Sequence, residues 1–283
     1  MSADQSGLAL TTGHLRARSD LLSQIRQYFA DRSVLEVETP LARSYTVTEP
    51  HQQSFQLAGP LGESLGAPLF LQTSPEYAMK QLLAGGSGDI YQICKAFRFG
   101  EQGARHSPEF TMLEWYRLGF DHHALMDEVA ELMQQLFGQR AVQKTTWREA
   151  FVRYAGIDPV KATLNQLVGR VSNWSANEAA LDDDQQRRLA LDLLLIERVE
   201  PALGRDCFTF IYDFPVDQAA LARVTDGLWP VAERFELYVE GVELANGFHE
   251  LADQSEQRSR FEEDNRQRRL NGVAAVALDE SLL

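Results

Sequence analysis

"RHSPEFTMLEWYR", Arg105 to Arg117, is the stretch on which the reading of the fold turns. From Pro108 onward it is dense in aromatic and apolar residues, the composition of a half-buried strand. Successive strand side chains point to opposite faces. Phe110, Met112, Glu114 and Tyr116 therefore share one face, and Glu109, Thr111, Leu113 and Trp115 the other. Each face mixes bulky apolar groups with a carboxylate. Burying an unpaired carboxylate costs on the order of several kcal/mol or forces it to take up a proton. Either the sheet supplies partners for Glu114, or a ligand brings the positive charge. Upstream, "DIYQICKAFRF" (89–99) reads as a second long strand, and the short polar loop Gly100–Ser107 joins the two as an antiparallel pair.

The 283 residues suit one large domain, or a core domain with a small insertion. With 44% hydrophobic and 24% charged residues the composition is that of a soluble globular protein. The net charge of −14, from 41 acidic and 27 basic residues, argues against broad attraction to nucleic-acid backbone. The first twenty residues hold no apolar run suited to a signal peptide, and no stretch approaches the ~20 apolar residues of a membrane helix. Cys94 and Cys207 form neither a disulfide framework nor a zinc set, and each is expected at a core strand position. A reducing, cytoplasmic compartment is the expectation.

Working outward, residues 14–31 read as an amphipathic helix, with Leu15, Leu22, Ile25 and Phe29 at helical spacing. "SVLEVETP" (33–40) reads as a short strand ending at Pro40, residues 41–66 as a loop or short hairpin, and "PLFLQT" (68–73) as a strand. "SPEYAMKQLLA" (74–84) is a helix with Ser74 as cap and Pro75 at its first position, ended by "GGSG" (85–88). Residues 122–138 are expected to be helical, and 145–205 to form a mostly helical insertion. "CFTFIYDFP" (207–215) and "ERFELYVEGVELANG" (233–247) return to strand. "SEQRSRFEEDNRQRRL" (255–270) reads as a charged helix with a solvated face and pairs such as Glu262–Arg266. Strands in a core with helices outside, and no regular βαβ alternation, give an α+β class with an antiparallel sheet.

Several motifs fail. "GESLG" (62–66) matches the hydrolase nucleophile pattern, but a strand follows where that pattern needs a helix. There is no Walker A or G-x-G-x-x-G sequence, and His122–His123 and His249–Glu250 lack H-E-x-x-H spacing. What survives is a set of polar residues on apolar strands or at strand ends, in "TSPEY" (73–77), "FRFGEQGARHS" (97–107), "EFTMLEWYR" (109–117) and "GVELANGFHE" (241–250). Each has a plain structural role: a helix cap at Ser74, a helix-terminus charge at Glu76, a surface ion pair at Arg98, a turn or bulge at "ANG". Together they assemble the carboxylates Glu76, Glu114, Glu243 and Glu250 with an arginine and a glycine-rich loop.

With these residues in view, "VLEVETP", "FRFGEQGARHSPEFTMLEWYR" and "GVELANGFHE" resemble sequence blocks of class II lysyl-tRNA synthetase catalytic domains. From about residue 14 onward, the wording "TSPEYAMKQLL", "HSPEFTMLEWYR" and "VAERFELYVEGVELANGFHEL" is closer still to a short branch of that family, the elongation factor P–(R)-β-lysine ligases. No room precedes the first block for an anticodon-binding module, so no tRNA partner is expected. The resemblance implies a class II synthetase-like domain over residues 1–283. On its antiparallel sheet ATP and a lysine-like amino acid would form an aminoacyl-adenylate, and the acyl group would pass to a lysine of elongation factor P. It implies positioning and charge stabilisation without an enzyme nucleophile.

Residue by residue, the resemblance places Arg98 on the α-phosphate as the catalytic residue. It places Phe99, Gly100, Glu101, Ser107 and Leu244 with Arg98 and Glu243 around ATP. In the loop, the glutamate of the family pattern falls one place late, at Glu101, and Ser107 stands where asparagine is usual. Glu243 and Glu250 match magnesium carboxylates. Ser74, Glu76, Glu114, Tyr116, Asn246 and Glu250 match the amino-acid pocket, where two ammonium groups need carboxylate partners. Pro40 matches a dimer-interface proline, implying a homodimer. The family's closing glycine-rich strand and arginine-bearing helix have no counterpart before "DESLL", so a further C-terminal part of the natural protein is expected. An enzyme with another acceptor and an inactive lysine-binding paralogue are the alternatives.

Overall fold

A computed structural model describes residues 11–57, 68–103, 105–175 and 177–283. "GESLG" (62–66) lies outside the described residues, as do the first ten residues and positions 58–66 of the expected loop. The chain divides into two compact units, Met1–Gly119 with Asp253–Leu283, and Phe120–Ala252.

In the first unit, α1 (Thr12–Ala30) opens on Thr11, whose hydroxyl accepts the His14 N–H. It buries Ile25, Tyr28 and Phe29 and leaves Leu15 exposed. The strands β5 (Ile90–Phe97) and β6 (Glu109–Tyr116) form the expected antiparallel pair, in unbroken register from Ile90 opposite Tyr116 to Phe97 opposite Glu109. The Glu109 face of β6 turns to α1. Trp115 packs 5.5 Å from Phe29, which stacks on Tyr91 at 4.4 Å, and Arg18 donates to Thr111. The Glu114 face is thereby left for other work.

"SVLEVETP" supplies only a two-residue strand, β1 (Leu35–Glu36), and it runs parallel to β5. Val37 still donates its N–H to the Tyr91 carbonyl, and beyond it the Thr39 hydroxyl donates to Gln92 ahead of Pro40. A second small sheet has the order β2 (Ala42–Arg43), β4 (Leu69–Leu71), β3 (Gln56–Leu57). The helix α2 (Glu76–Ala84) follows β4.

The last helix of this unit corrects the sequence reading. Its Gln257, Phe261, Asn265 and Arg268 fall on one stripe and are buried, so that face is not solvated. Arg268 donates to the carbonyls of Glu49, Gln52 and Ala274, and the Asn265 amide pairs with the Val276 backbone. Irregular backbone under a helix needs donors, and polar side chains provide them. Arg266 pairs with Glu263 instead of Glu262.

In the second unit, α3 (His122–Phe137) is capped by Asp121. A four-stranded sheet has the order β10 (Val242–Phe248), β9 (Ala232–Val239), β8 (Cys207–Phe214), β7 (Ala141–Thr146). The strand β7 was not expected, and it pairs parallel to β8. The sheets are thus mixed, with a parallel edge strand added to antiparallel pairs in both units. The expected helical stretch is present as α4 (Trp147–Ala150), α5 (Leu164–Val168) and α6 (Asp183–Leu194), with π-turns at Phe151–Ala155 and Leu195–Val199. These pack a core of Trp147, Phe151, Leu167, Leu194 and Val199 against Phe214 and Tyr238. Cys94 in β5 and Cys207 at the start of β8 are free thiols on strands, partly buried instead of fully in a core.

Candidate active site

The question posed by Glu114 has a physical answer within the first unit. Its Oε2 accepts from the Ser74 hydroxyl and its Oε1 from the Tyr116 hydroxyl, each at 2.9 Å. Ser74 also accepts the Glu76 N–H at 3.0 Å, so one hydroxyl ties β6 to the start of α2. Here the structure corrects the expected cap. The N-cap position is Pro75, which makes no side-chain bond, and Ser74 serves the helix from one place earlier. Lys80, one turn along α2, donates to Glu76 Oε1 at 2.7 Å. Burial, and then the charge of Glu76, push the Glu114 carboxyl up to about 7 against the hydrogen bonds from Tyr116 and Ser74 and the charge of Lys80. Four of the expected amino-acid residues, Ser74, Glu76, Glu114 and Tyr116, are therefore brought together. A group of this kind is ready to release a proton and accept an ammonium ion in its place.

Arg98, at the end of β5, donates through Nε to the Thr73 carbonyl at 3.3 Å and lies 5.2 Å over the Phe110 ring. It is thus fixed to the residue before Ser74 and to the same face of β6 that carries Glu114. Glu101 stands 3.6 Å from Arg98 across the glycine turn at Gly100, whose φ is +85°. Phe99 is exposed and meets Phe55 edge-on at 5.3 Å, with its N–H on the Gln53 carbonyl. Ser107 is exposed at the end of the loop, and Gly103 closes it onto the His106 carbonyl. Glu109 pairs with Lys95 on the surface at 3.0 Å, an exposed pair of small energetic weight.

In the second unit the remaining residues lie on β10 and just past it. A bulge between Glu243 and Ala245 carries Leu244, and both Glu243 and Leu244 are exposed. "ANG" is regular strand, with the bulge ahead of it. Arg234 of β9 donates from Nε to Asn246 Oδ1 at 3.1 Å, lies 4.5 Å over Phe214, and pairs with Glu236. Arginine only donates, so the Asn246 amide must face it with oxygen and present its NH2 outward. Glu236 in turn accepts from Tyr238 at 2.6 Å. Glu250 is partly buried and forms an antiparallel bridge with Ala222. Among the described residues no three metal-ligating side chains converge. Two carboxylates fit magnesium only if phosphate and water oxygens complete the shell, which is the usual magnesium arrangement.

Sequence reasoning missed Lys80, Arg234 and Glu236. The signals were present in "EYAMK", a Glu–Lys pair one helical turn apart, and in "ERFELY", whose alternation puts Arg234, Glu236 and Tyr238 on one strand face.

A family model for class II tRNA synthetases (D, K and N) matches residues 10–277, and the chain belongs to that family. Among individual relatives, the elongation factor P–(R)-β-lysine ligase of Vibrio atlanticus (strain LGP32) is 46% identical over 277 residues, 97% of this chain and 85% of that protein. The protein of the same name from Edwardsiella ictaluri (strain 93-146) is 47% identical over 272 residues, 95% of this chain and 83% of its own. That of Salmonella typhi is 46% identical over 272 residues, again 95% and 83%.

Proposed function

We propose that the protein activates (R)-β-lysine or lysine with ATP as an aminoacyl-adenylate and transfers the acyl group to a lysine side chain of elongation factor P. The observation that carries the amino-acid half is Glu114, held by two hydroxyls on β6 and at the start of α2, with its carboxyl pushed up to about 7 by burial and by Glu76. The names of the relatives carry the acceptor.

In this reading the substrate lies along the half-buried Glu114 face of β6, with amines toward Glu114 and carboxylate toward Arg98. Phe110, under Arg98, and Glu114 are four residues apart, about 13 Å of strand, room for an extended amino acid. A carboxylate oxygen attacks the α-phosphorus and pyrophosphate leaves. Arg98 neutralises charge at phosphorus, where its fork matches two oxygens. Within the first unit, Glu76 orients the amino acid and Phe99, Gly100, Glu101 and Ser107 border the nucleotide. For the second unit, the resemblance alone assigns Asn246 to the amino acid and Leu244 to the nucleotide. Glu243 and Glu250 would hold magnesium, which would supply charge neutralisation to the phosphates. The acceptor amine then attacks the acyl carbonyl, an amide forms, and AMP and a proton depart.

Exposed Leu35, Pro40 and Leu41 on one segment support a homodimer. No helix among the described residues is long and apolar enough to cross a membrane. The proposed acceptor, a translation factor, sets the site of action in the cytoplasm.

The test is pyrophosphate exchange with each lysine isomer, followed by acyl transfer to elongation factor P and, separately, to tRNA. Exchange plus transfer to the protein alone is expected. Exchange with transfer to tRNA or another acceptor would overturn the acceptor. No exchange with any isomer would overturn the enzyme reading in favour of an inactive lysine-binding paralogue.

A further inference from the structure

We propose that Lys80 is the internal counter-ion of the amino-acid pocket: it pins the Glu76 carboxylate and cancels one of two negative charges, so that Glu114 can ionise for the incoming ammonium group. The inference rests on the reading of that pocket given above, and it adds a positioning residue to it.

Lys80 Nζ lies 2.7 Å from Glu76 Oε1. An i,i+4 pair on an open helix face is worth little and needs no role. This pair differs, because its side chains are only 13% and 20% exposed. It also sits on the helix whose first turn is tied through Ser74 to Glu114. The groups acting on Glu114 come from three elements and the Ser74 junction. The helix α2 offers Glu76 and Lys80, β6 offers the Tyr116 hydroxyl, and β5 offers the Cys94 thiol, itself pushed up to about 11 by burial and by Glu114. Lys80 is the cation among them. Two carboxylates and one ammonium leave a single net negative charge. Remove the ammonium, and like charges crowded together make one carboxyl keep its proton. An amino acid would then have to expel a more tightly held proton on binding, which moves the pH below which affinity is lost upward.

The test compares Lys80→Met, Lys80→Arg and Glu76→Gln with the native chain. In ligand-free protein, carbon-13 NMR of glutamate carboxyls reads the Glu114 titration. The midpoint should rise by about one pH unit or more in Lys80→Met, stay near native in Lys80→Arg, and fall in Glu76→Gln. Affinity of Lys80→Met for lysine or β-lysine should drop about tenfold at pH 7 and recover by about pH 9. An unmoved Glu114 midpoint, or an affinity loss equal at every pH, overturns the role. If Lys80→Met does not fold, an unmoved midpoint in Glu76→Gln overturns it equally. Should the native protein bind neither isomer at any pH, the functional reading fails, while the carboxyl titration still decides the part played by Lys80.

Discussion

Glu114 shows how far a single residue can be read. Its place in an aromatic strand marks it as costly from the sequence alone, and the alternating faces of β6 put it beside Tyr116. Its other partners were not legible. Ser74 is 40 positions away and Lys80 is on a different element, joined only by folding. The consequence for stability has a definite sign. The carboxyl is pushed up from an ordinary 4.5 to about 7, so its contribution is fully present below about pH 4.5 and is lost as pH rises through 7. Glu114→Gln, which keeps the shape and removes the charge, should match the native chain in urea midpoint at pH 5 and exceed it at pH 8. An equal midpoint at pH 8 would show that the buried charge is harmless. The same variant should lose amino-acid binding at both pH values.

At the scale of elements, the long strands and helices followed from composition and spacing, and the misses share a cause. "AVQKTT" became β7 through parallel pairing with β8, a non-local contact that its weak alternation did not announce. The stripe of α7 (Gln254–Leu270) was misjudged because charge was taken for exposure. Arg268 and Asn265 are buried for the backbone groups they satisfy. The strand β10 shows an element whose sequence is fixed by packing. A Cβ at Gly247 would stand 2.6 Å from the Phe235 ring and 3.2 Å from Leu125, and that ring is fully buried. Gly247→Ala should therefore destabilise the protein by about 1–3 kcal/mol, the usual cost of overpacking, read as a lower thermal midpoint. If the role proposed for the neighbouring Asn246 holds, amino-acid binding should weaken as well. An unchanged midpoint would mean that the ring has room to swing aside.

For the whole molecule, composition sets an expectation: a net charge of −14 argues against broad attraction to nucleic-acid backbone, and the transfer assay with tRNA tests it. The sequence suggests a homodimer only through the resemblance at Pro40, because interfaces between copies leave no periodic trace in it. Sedimentation at micromolar concentration should give twice the 31.9 kDa chain mass, and replacing Leu35 and Leu41 with charged residues should reduce it to one. A native sedimentation mass of one chain would remove the dimer from the picture.

The first unit is also discontinuous. Asp279, buried against Arg43 and Gln81, and Arg268, seated on the carbonyls of Glu49 and Gln52, pin the far end of the chain to segments within its first eighty-odd residues. During synthesis, residues 120–252 leave the ribosome as a complete unit before the residues that close the first one have been made. The strand pair bearing Arg98 and Glu114 must wait, with its sheet already formed or not, for a helix translated more than a hundred codons later.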